Sequence, residues 1–126
     1  MFRFKRTPGT ASGSCSIARG EFLGWVFARP ATDSRFAREI GWDRPDEVEV
    51  GYRYRRSAWG RGVATEAATP LVQIALADPA TTAVVACARA GNAASLRVLG
   101  KLGLERVGEV MLPETSGPTV KLARGK

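Results

Sequence analysis

The sequence contains no histidine. That absence removes the Ser-His-Asp triad, the Cys-His dyad, an imidazole acid or base and every histidine-liganded zinc site. Any proton chemistry falls to carboxylates, hydroxyls, thiols, backbone groups and water. Cysteine is nearly absent too. Cys15 and Cys87 stand far apart and match no metal-ligand spacing. They read as buried small residues in a reduced, cytoplasmic chain, and no metal is expected. The opening MFRFKRTPGT lacks the apolar run of a signal peptide, and no stretch approaches the ~20 apolar residues of a membrane span. Neither export nor a membrane partner is expected.

Acidic residues are in the minority, 12 against 19 Lys and Arg, for a net charge of +7 with arginine well ahead of lysine. Such a surface attracts anions, phosphates among them, without naming one. At 126 residues and 44% hydrophobic, the chain suffices for one core and is too short for two ordinary domains. Residues 1–126 are therefore read as a single domain, with 1–13 either flexible or the remnant of a first strand.

Ser14 to Ala18 and Phe22 to Arg29 read as a hairpin joined at Arg19-Gly20-Glu21, closed by Pro30. Ala31 to Pro45 shows no sustained period and is expected as a long loop with room for one helical turn. Glu47 to Arg55 alternates as a strand, with Val48, Val50, Tyr52 and Tyr54 on one face and Glu47, Glu49, Gly51 and Arg53 on the other. From Gly62 to Ala77, Val63, Ala67, Leu71, Ile74 and Ala75 recur at helical spacing. Pro70 interrupts them, so a kink is expected, or a fresh start with Thr69 as N-cap.

Thr82 to Ala88 reads as a buried strand. Asn92 then caps a helix with an apolar stripe through Leu96, Leu99 and Leu102, stopped at Gly103. Leu104 to Met111 and Thr119 to Ala123 complete an α+β, mixed-sheet domain.

The stretch SAWGRGVATEA joins a strand to a helix through glycines. Glycines let backbone approach a ligand closely, and the unpaired N–H groups of a helix's first turn face outward with the positive end of its dipole. Gly60 to Thr65 reads G-x-G-x-x-T, short of the dinucleotide fingerprint, and no G-K-[ST] follows. By physics alone it is either an anion site or a tight turn that needs small residues.

Three blocks in order, EVGYRYRRSAWGRGVATEAA, TTAVVACAR and NAASLRVLGKLGLERVG, closely resemble the GCN5-related N-acetyltransferases. The likeness is strongest to the branch that acetylates ribosomal-protein amino termini. It covers Val48 to Gly103 and extends more weakly to the hairpin and the closing strands.

The resemblance implies a mixed, mostly antiparallel central sheet with helices packed on it, N-terminally truncated. Residues 1–13 stand where the family places a strand and two helices, and MFRFKR would be the remnant of that strand. The hairpin edge so exposed would favour a homodimer. The implied anion is the pyrophosphate of acetyl-CoA. Trp59, Gly60, Arg61, Gly62, Val63 and Ala64 fall on the family's loop motif, and N–H groups from Gly60 to Thr65 would hold the pyrophosphate. The main chain of Tyr52, Arg53 and Tyr54 would pair with the pantetheine arm. Asn92 either reaches the cofactor or simply caps its helix.

The implied reaction is direct attack of an amine on the thioester through a tetrahedral intermediate, with a protein or peptide amino terminus as acceptor. Glu49 would be the base through water, a backbone N–H near Tyr52 the oxyanion donor, and Ser95 would serve near the sulfur. Many members carry an acid tyrosine seven residues after the asparagine; this chain has Leu99 there. The alternatives are a noncatalytic acyl-CoA-binding module and a basic nucleic-acid-binding domain. The latter lacks any recognised signature.

Overall fold

Period-two alternation of apolar and polar residues builds seven strands into one sheet, and the strand that alternates best lies at its centre. The computed structural model describes residues 2–7, 10–16, 22–54, 62–111 and 117–126. The strands are β1 (Phe2–Thr7), β2 (Thr10–Ser16), β3 (Phe22–Pro30), β4 (Glu47–Tyr54), β5 (Ala83–Arg89), β6 (Glu105–Met111) and β7 (Pro118–Gly125). They lie in the order β1-β2-β3-β4-β5-β7-β6. Every neighbouring pair is antiparallel except β4 and β5, which run parallel. The expected mixed, mostly antiparallel sheet is the one the chain forms.

Three helices accompany the sheet among the described residues: α1 (Arg35–Ile40), α2 (Val63–Ala77) and α3 (Ala93–Lys101). Ala67, Ala68, Leu71, Val72 and Ala75 of α2 and Leu99 of α3 enter one core with Val26, Ala28, Val50, Val84, Ala86, Val120 and Leu122 of the strands. Both longer helices therefore cover the same face. At ~25 cal/mol per Å² of apolar surface, this burial is the main support of the fold.

The structure changes four expectations. Residues 31–45 hold more helix than the single turn expected: a 3-10 turn at Ala31–Asp33 leads into α1, and only Ser34 and residues 41–45 remain without a regular element. Buried Ser34 caps α1 by accepting from the Ala37 N–H at 3.2 Å, and Gly41 ends it in the left-handed conformation at φ 76°. Pro70 neither ends α2 nor restarts it. The helix runs unbroken from Gly62, its N-cap, to Asp78, its C-cap. The Thr69 hydroxyl donates back to the Thr65 carbonyl at 2.6 Å rather than capping a new helix. Packing of Leu71 and Val72 on one side of the proline and Ala67 and Ala68 on the other holds the turn that propensity alone would break.

The hairpin edge expected to be exposed is covered instead, because β1 pairs with β2 from Phe2↔Cys15 to Thr7↔Thr10. The Arg19-Gly20-Glu21 turn lies outside the described residues. Cys87, expected to be buried, is exposed, since the alternation of β5 turns it away from the helices.

Candidate active site

The parallel pair at the sheet centre is short. β4 and β5 pair at Glu47↔Ala83, Val48↔Val84 and Glu49↔Val85. Below that point the strands are tied together. The Thr82 N–H donates to the Asp46 carbonyl at 2.8 Å, and the Thr82 hydroxyl donates to the Asp46 carboxylate at 2.8 Å. Beyond it they part: β4 stays on β3 through Tyr52↔Val26, Arg53↔Trp25 and Tyr54↔Gly24, while β5 stays on β7 through Arg89↔Thr119. Among the described residues, no strand pairs with β4 from Val50 to Tyr54 on its β5 side. The result is a wedge, hinged at Asp46–Thr82, with a strand edge of backbone donors and acceptors along one wall.

A helix follows each strand of the wedge. β4 leads toward Gly62, which takes the left-handed conformation (φ 73°) that opens α2. The N–H groups of Val63, Ala64 and Thr65 are in the first turn, where no carbonyl four residues back lies within the helix. Trp59, Gly60 and Arg61 lie outside the described residues. On the other wall, Asn92 caps α3, its side-chain oxygen accepting from the Ser95 N–H at 3.1 Å.

Tyr52 closes the helix side of the wedge. Its ring packs against the core, and its hydroxyl stands 2.9 Å from Ser95 Oγ and 3.3 Å from the Ser95 carbonyl oxygen. Burial holds the Tyr52 phenol above its ordinary pKa, opposed by the hydrogen bond with Ser95. The structure thus joins Tyr52, Ser95 and Asn92. The sequence reading had valued Tyr52 for its backbone alone.

Glu49 points to the opposite face, which carries different chemistry. Its Oε1 accepts from Arg29 Nη2 at 3.1 Å, with the carboxylate side chain 16% exposed. The Arg29 guanidinium lies 4.7 Å from the centroid of the Phe27 ring. That ring fills the space over Gly51, where any Cβ would overlap it. Nearby, Lys121 Nζ donates to Glu47 Oε1 at 3.1 Å and sits 5.7 Å from the Trp42 ring centroid. Trp42 in turn meets Phe36 of α1 edge-on at 6.4 Å.

Cys87 faces the same side, opposite Lys121 in the β5–β7 register. Enough protein surrounds its sulfur that lost hydration pushes the thiol up to about 12. The Glu49 charge adds to the rise and Lys121 opposes it. A thiol so placed stays protonated at neutral pH and is no nucleophile. Among the described residues, no group of three or more His, Cys, Asp or Glu could hold a metal ion.

Sequence reasoning missed Arg29 and Lys121 as partners of the carboxylates. The alternation of β4 placed Glu47 and Glu49 on one face but carried no information on which cations the neighbouring strands would bring there.

The sheet thus opens between two parallel strands, and a helix follows each of them. Residues 9–105 match the family model described as an acetyltransferase (GNAT) domain. The chain belongs to this family. It is 31% identical over 91 residues to FsC-acetyl coenzyme A-N(2)-transacetylase of Aspergillus fumigatus, a match covering 72% of this chain and 37% of that protein. The chain thus spans little more than a third of that relative's length. The aminoglycoside acetyltransferase AAC(6')-Ib, solved in complex with coenzyme A, superposes with a TM-score of 0.74 at 23% identity, over 94% of this chain and 67% of that one. A GNAT acetyltransferase from Streptococcus pneumoniae shares the fold at the same TM-score and 11% identity, over 94% of this chain and 68% of its own.

Proposed function

We propose that this protein transfers the acetyl group of acetyl-CoA to a primary amine by direct attack through a tetrahedral intermediate, with a protein or peptide amino terminus as the favoured acceptor. The wedge between β4 and β5 carries this reading: it presents a strand edge at Tyr52 to Tyr54, and α2 is the next described element along the chain, opening at Gly62. A pantetheine arm contains amides that pair with such an edge, and a pyrophosphate suits the N–H groups from Gly60 to Thr65, Arg61 included, at a helix start. The names of two relatives, one an acetyl coenzyme A transacetylase and one solved with coenzyme A, support the same cofactor.

The carbonyl of the bound thioester would lie by the β4 backbone, where an N–H near Tyr52 stabilises the oxyanion. The amine would arrive from the face of Glu49. That carboxylate, held in place by Arg29, takes the ammonium proton through water. Trp42 and Phe27 give this face an apolar rim beside carboxylates, which suits an alkylammonium group. Ser95 serves near the sulfur.

Release of free thiol from acetyl-CoA, measured against a panel of peptides, polyamines and aminoglycosides, tests the reading. Amine-dependent release is expected. Binding of acetyl-CoA without any such release would show a noncatalytic acyl-CoA module instead. The Glu49→Gln variant is expected to lower kcat by about 10²-fold or more and to alter the pH profile of the rate, with CoA affinity retained. An unchanged profile removes Glu49 as the base.

A further inference from the structure

The departing sulfur needs a hydrogen-bond donor, and α3 offers no phenol for it: Leu99 is buried in the core. A phenol reaches the same helix from the opposite wall of the wedge. Tyr52 lies three residues past the last β4–β5 pair, and its hydroxyl spans the opening to Ser95 Oγ at 2.9 Å. A hydroxyl that accepts a hydrogen bond from a neighbour turns its own proton elsewhere, and it becomes a stronger donor when polarised in this way. The Asn92 cap fixes the Ser95 backbone, and at 2.9 Å the Tyr52 hydroxyl can stand as donor or as acceptor toward Ser95 Oγ.

We propose that Tyr52 is the positioning residue of the leaving-group step, its phenol O–H donating to Ser95 Oγ so that the Ser95 hydroxyl proton is presented to the departing sulfur. The inference rests on the acetyl-transfer reading above. The amine lone pair forms the N–C bond and the C–S bond breaks with its electron pair moving to sulfur. The nitrogen loses its proton toward Glu49, and the thiolate leaves stabilised by the Ser95 O–H, taking a proton from water on release. No proton leaves Tyr52. Its raised pKa fits that role, because the phenol stays protonated, and a donor, throughout the neutral range.

The test is the pKa of the CoA thiol when bound, read from thiolate absorbance against pH, with desulfo-CoA as the blank. A donor aimed at the sulfur lowers this value in the wild type. Tyr52→Phe keeps the ring in the core and is expected to raise the bound thiol by roughly half a unit or more. Ser95→Ala should raise it at least as far, the double variant no further, and Ser95→Thr, which restores a hydroxyl, should recover most of the loss. In turnover, Tyr52→Phe should lower kcat about tenfold, the worth of one neutral hydrogen bond, with KM for acetyl-CoA little changed.

A bound thiol with the same pKa in Tyr52→Phe and wild type, while Ser95→Ala shifts it, would make Tyr52 a structural tie and overturn the inference. A wild type that binds CoA but transfers no acetyl group would sink the functional reading and the leaving-group step with it, while the thiol comparison would still decide whether Tyr52 aims the Ser95 proton at the sulfur.

Discussion

The strands that bury Val50, Val84 and Val120 under α2 and α3 also turn Glu47, Glu49, Cys87 and Lys121 to their other side. The helix-covered face is apolar and close-packed, and its residues are interchangeable by volume. The opposite face is held by two carboxylate–cation pairs and aromatic rings, each contact specific to its partners. An ion pair of this kind is weak evidence for stability, because desolvation offsets much of the attraction. Where a sheet keeps polar pairs on a face it could have packed with valine, chemistry is the better explanation. Tyr52 is the exception that joins the two, an apolar ring in the core ending in a hydroxyl at the wedge.

The sharpest way to break the comparison is to damage the helix-covered face. Leu71 is 1% exposed between α2 and the sheet. Leu71→Ala is expected to cost about 3–5 kcal/mol in denaturant unfolding, a large share of the roughly 5–15 kcal/mol that holds a domain together. Any residual folded fraction should keep the ion pairs of the opposite face.

A smaller loss is expected on the opposite face. Lys121→Met leaves Glu47 without its partner in a setting where the two side chains are 12% and 11% exposed. Breaking a fully buried pair costs about 3–5 kcal/mol. With a tenth of each side chain still wet, about 2 kcal/mol is expected in the same measurement. Adding Glu47→Gln should recover part of it, because the penalty is chiefly that of an unpaired carboxylate. No recovery would mean that Lys121 supports the fold by packing on Trp42 instead, and that the two faces differ less than their chemistry suggests.

How much of this was legible beforehand follows from range. β4 and α3 were readable because their signals are local: alternation over Glu47–Tyr54, and a cap at Asn92 with a stop near Gly103. α1 escaped because six residues are too few to show a helical period, although Ser34 and Gly41 flank it as start and stop signals. The fresh start expected as one alternative at Pro70 does not occur, because the contacts of its neighbours outweigh the intrinsic rule. Insertion of β7 between β5 and β6, and the meeting of Tyr52 with Ser95 43 residues on, depend on pairing at long range. No window of sequence contains such a contact. The face that carries Glu47 and Glu49 was therefore legible from alternation, and the cations that Arg29 and Lys121 bring to it were not.

The finest test of the difference lies at Cys87, the smallest expected effect. An apolar run of sequence suggested a buried, inert residue; the structure makes it exposed, with its thiol pushed up to about 12 by lost hydration and by Glu49. The thiolate is the reactive form, so alkylation of native protein by iodoacetamide, followed at the Cys87 peptide by mass spectrometry, should stay slow through pH 9 and accelerate only toward pH 12. Unfolded chain, with a thiol near the usual ~8.5, should react fast by pH 9. Because the folded value is the raised one, the thiol's contribution to stability is complete below the unfolded pKa and is lost as pH climbs toward the folded one. Cys87→Ala should therefore flatten the fall in stability between about pH 9 and 12. Lys121→Met should slow alkylation further by removing the cation that opposes the shift, and Glu49→Gln should quicken it by removing the anion that adds to it. Opposite responses to these two substitutions would show that Cys87 feels the charges of Glu49 and Lys121 on this face, whereas equal rates in both would confine its shift to burial.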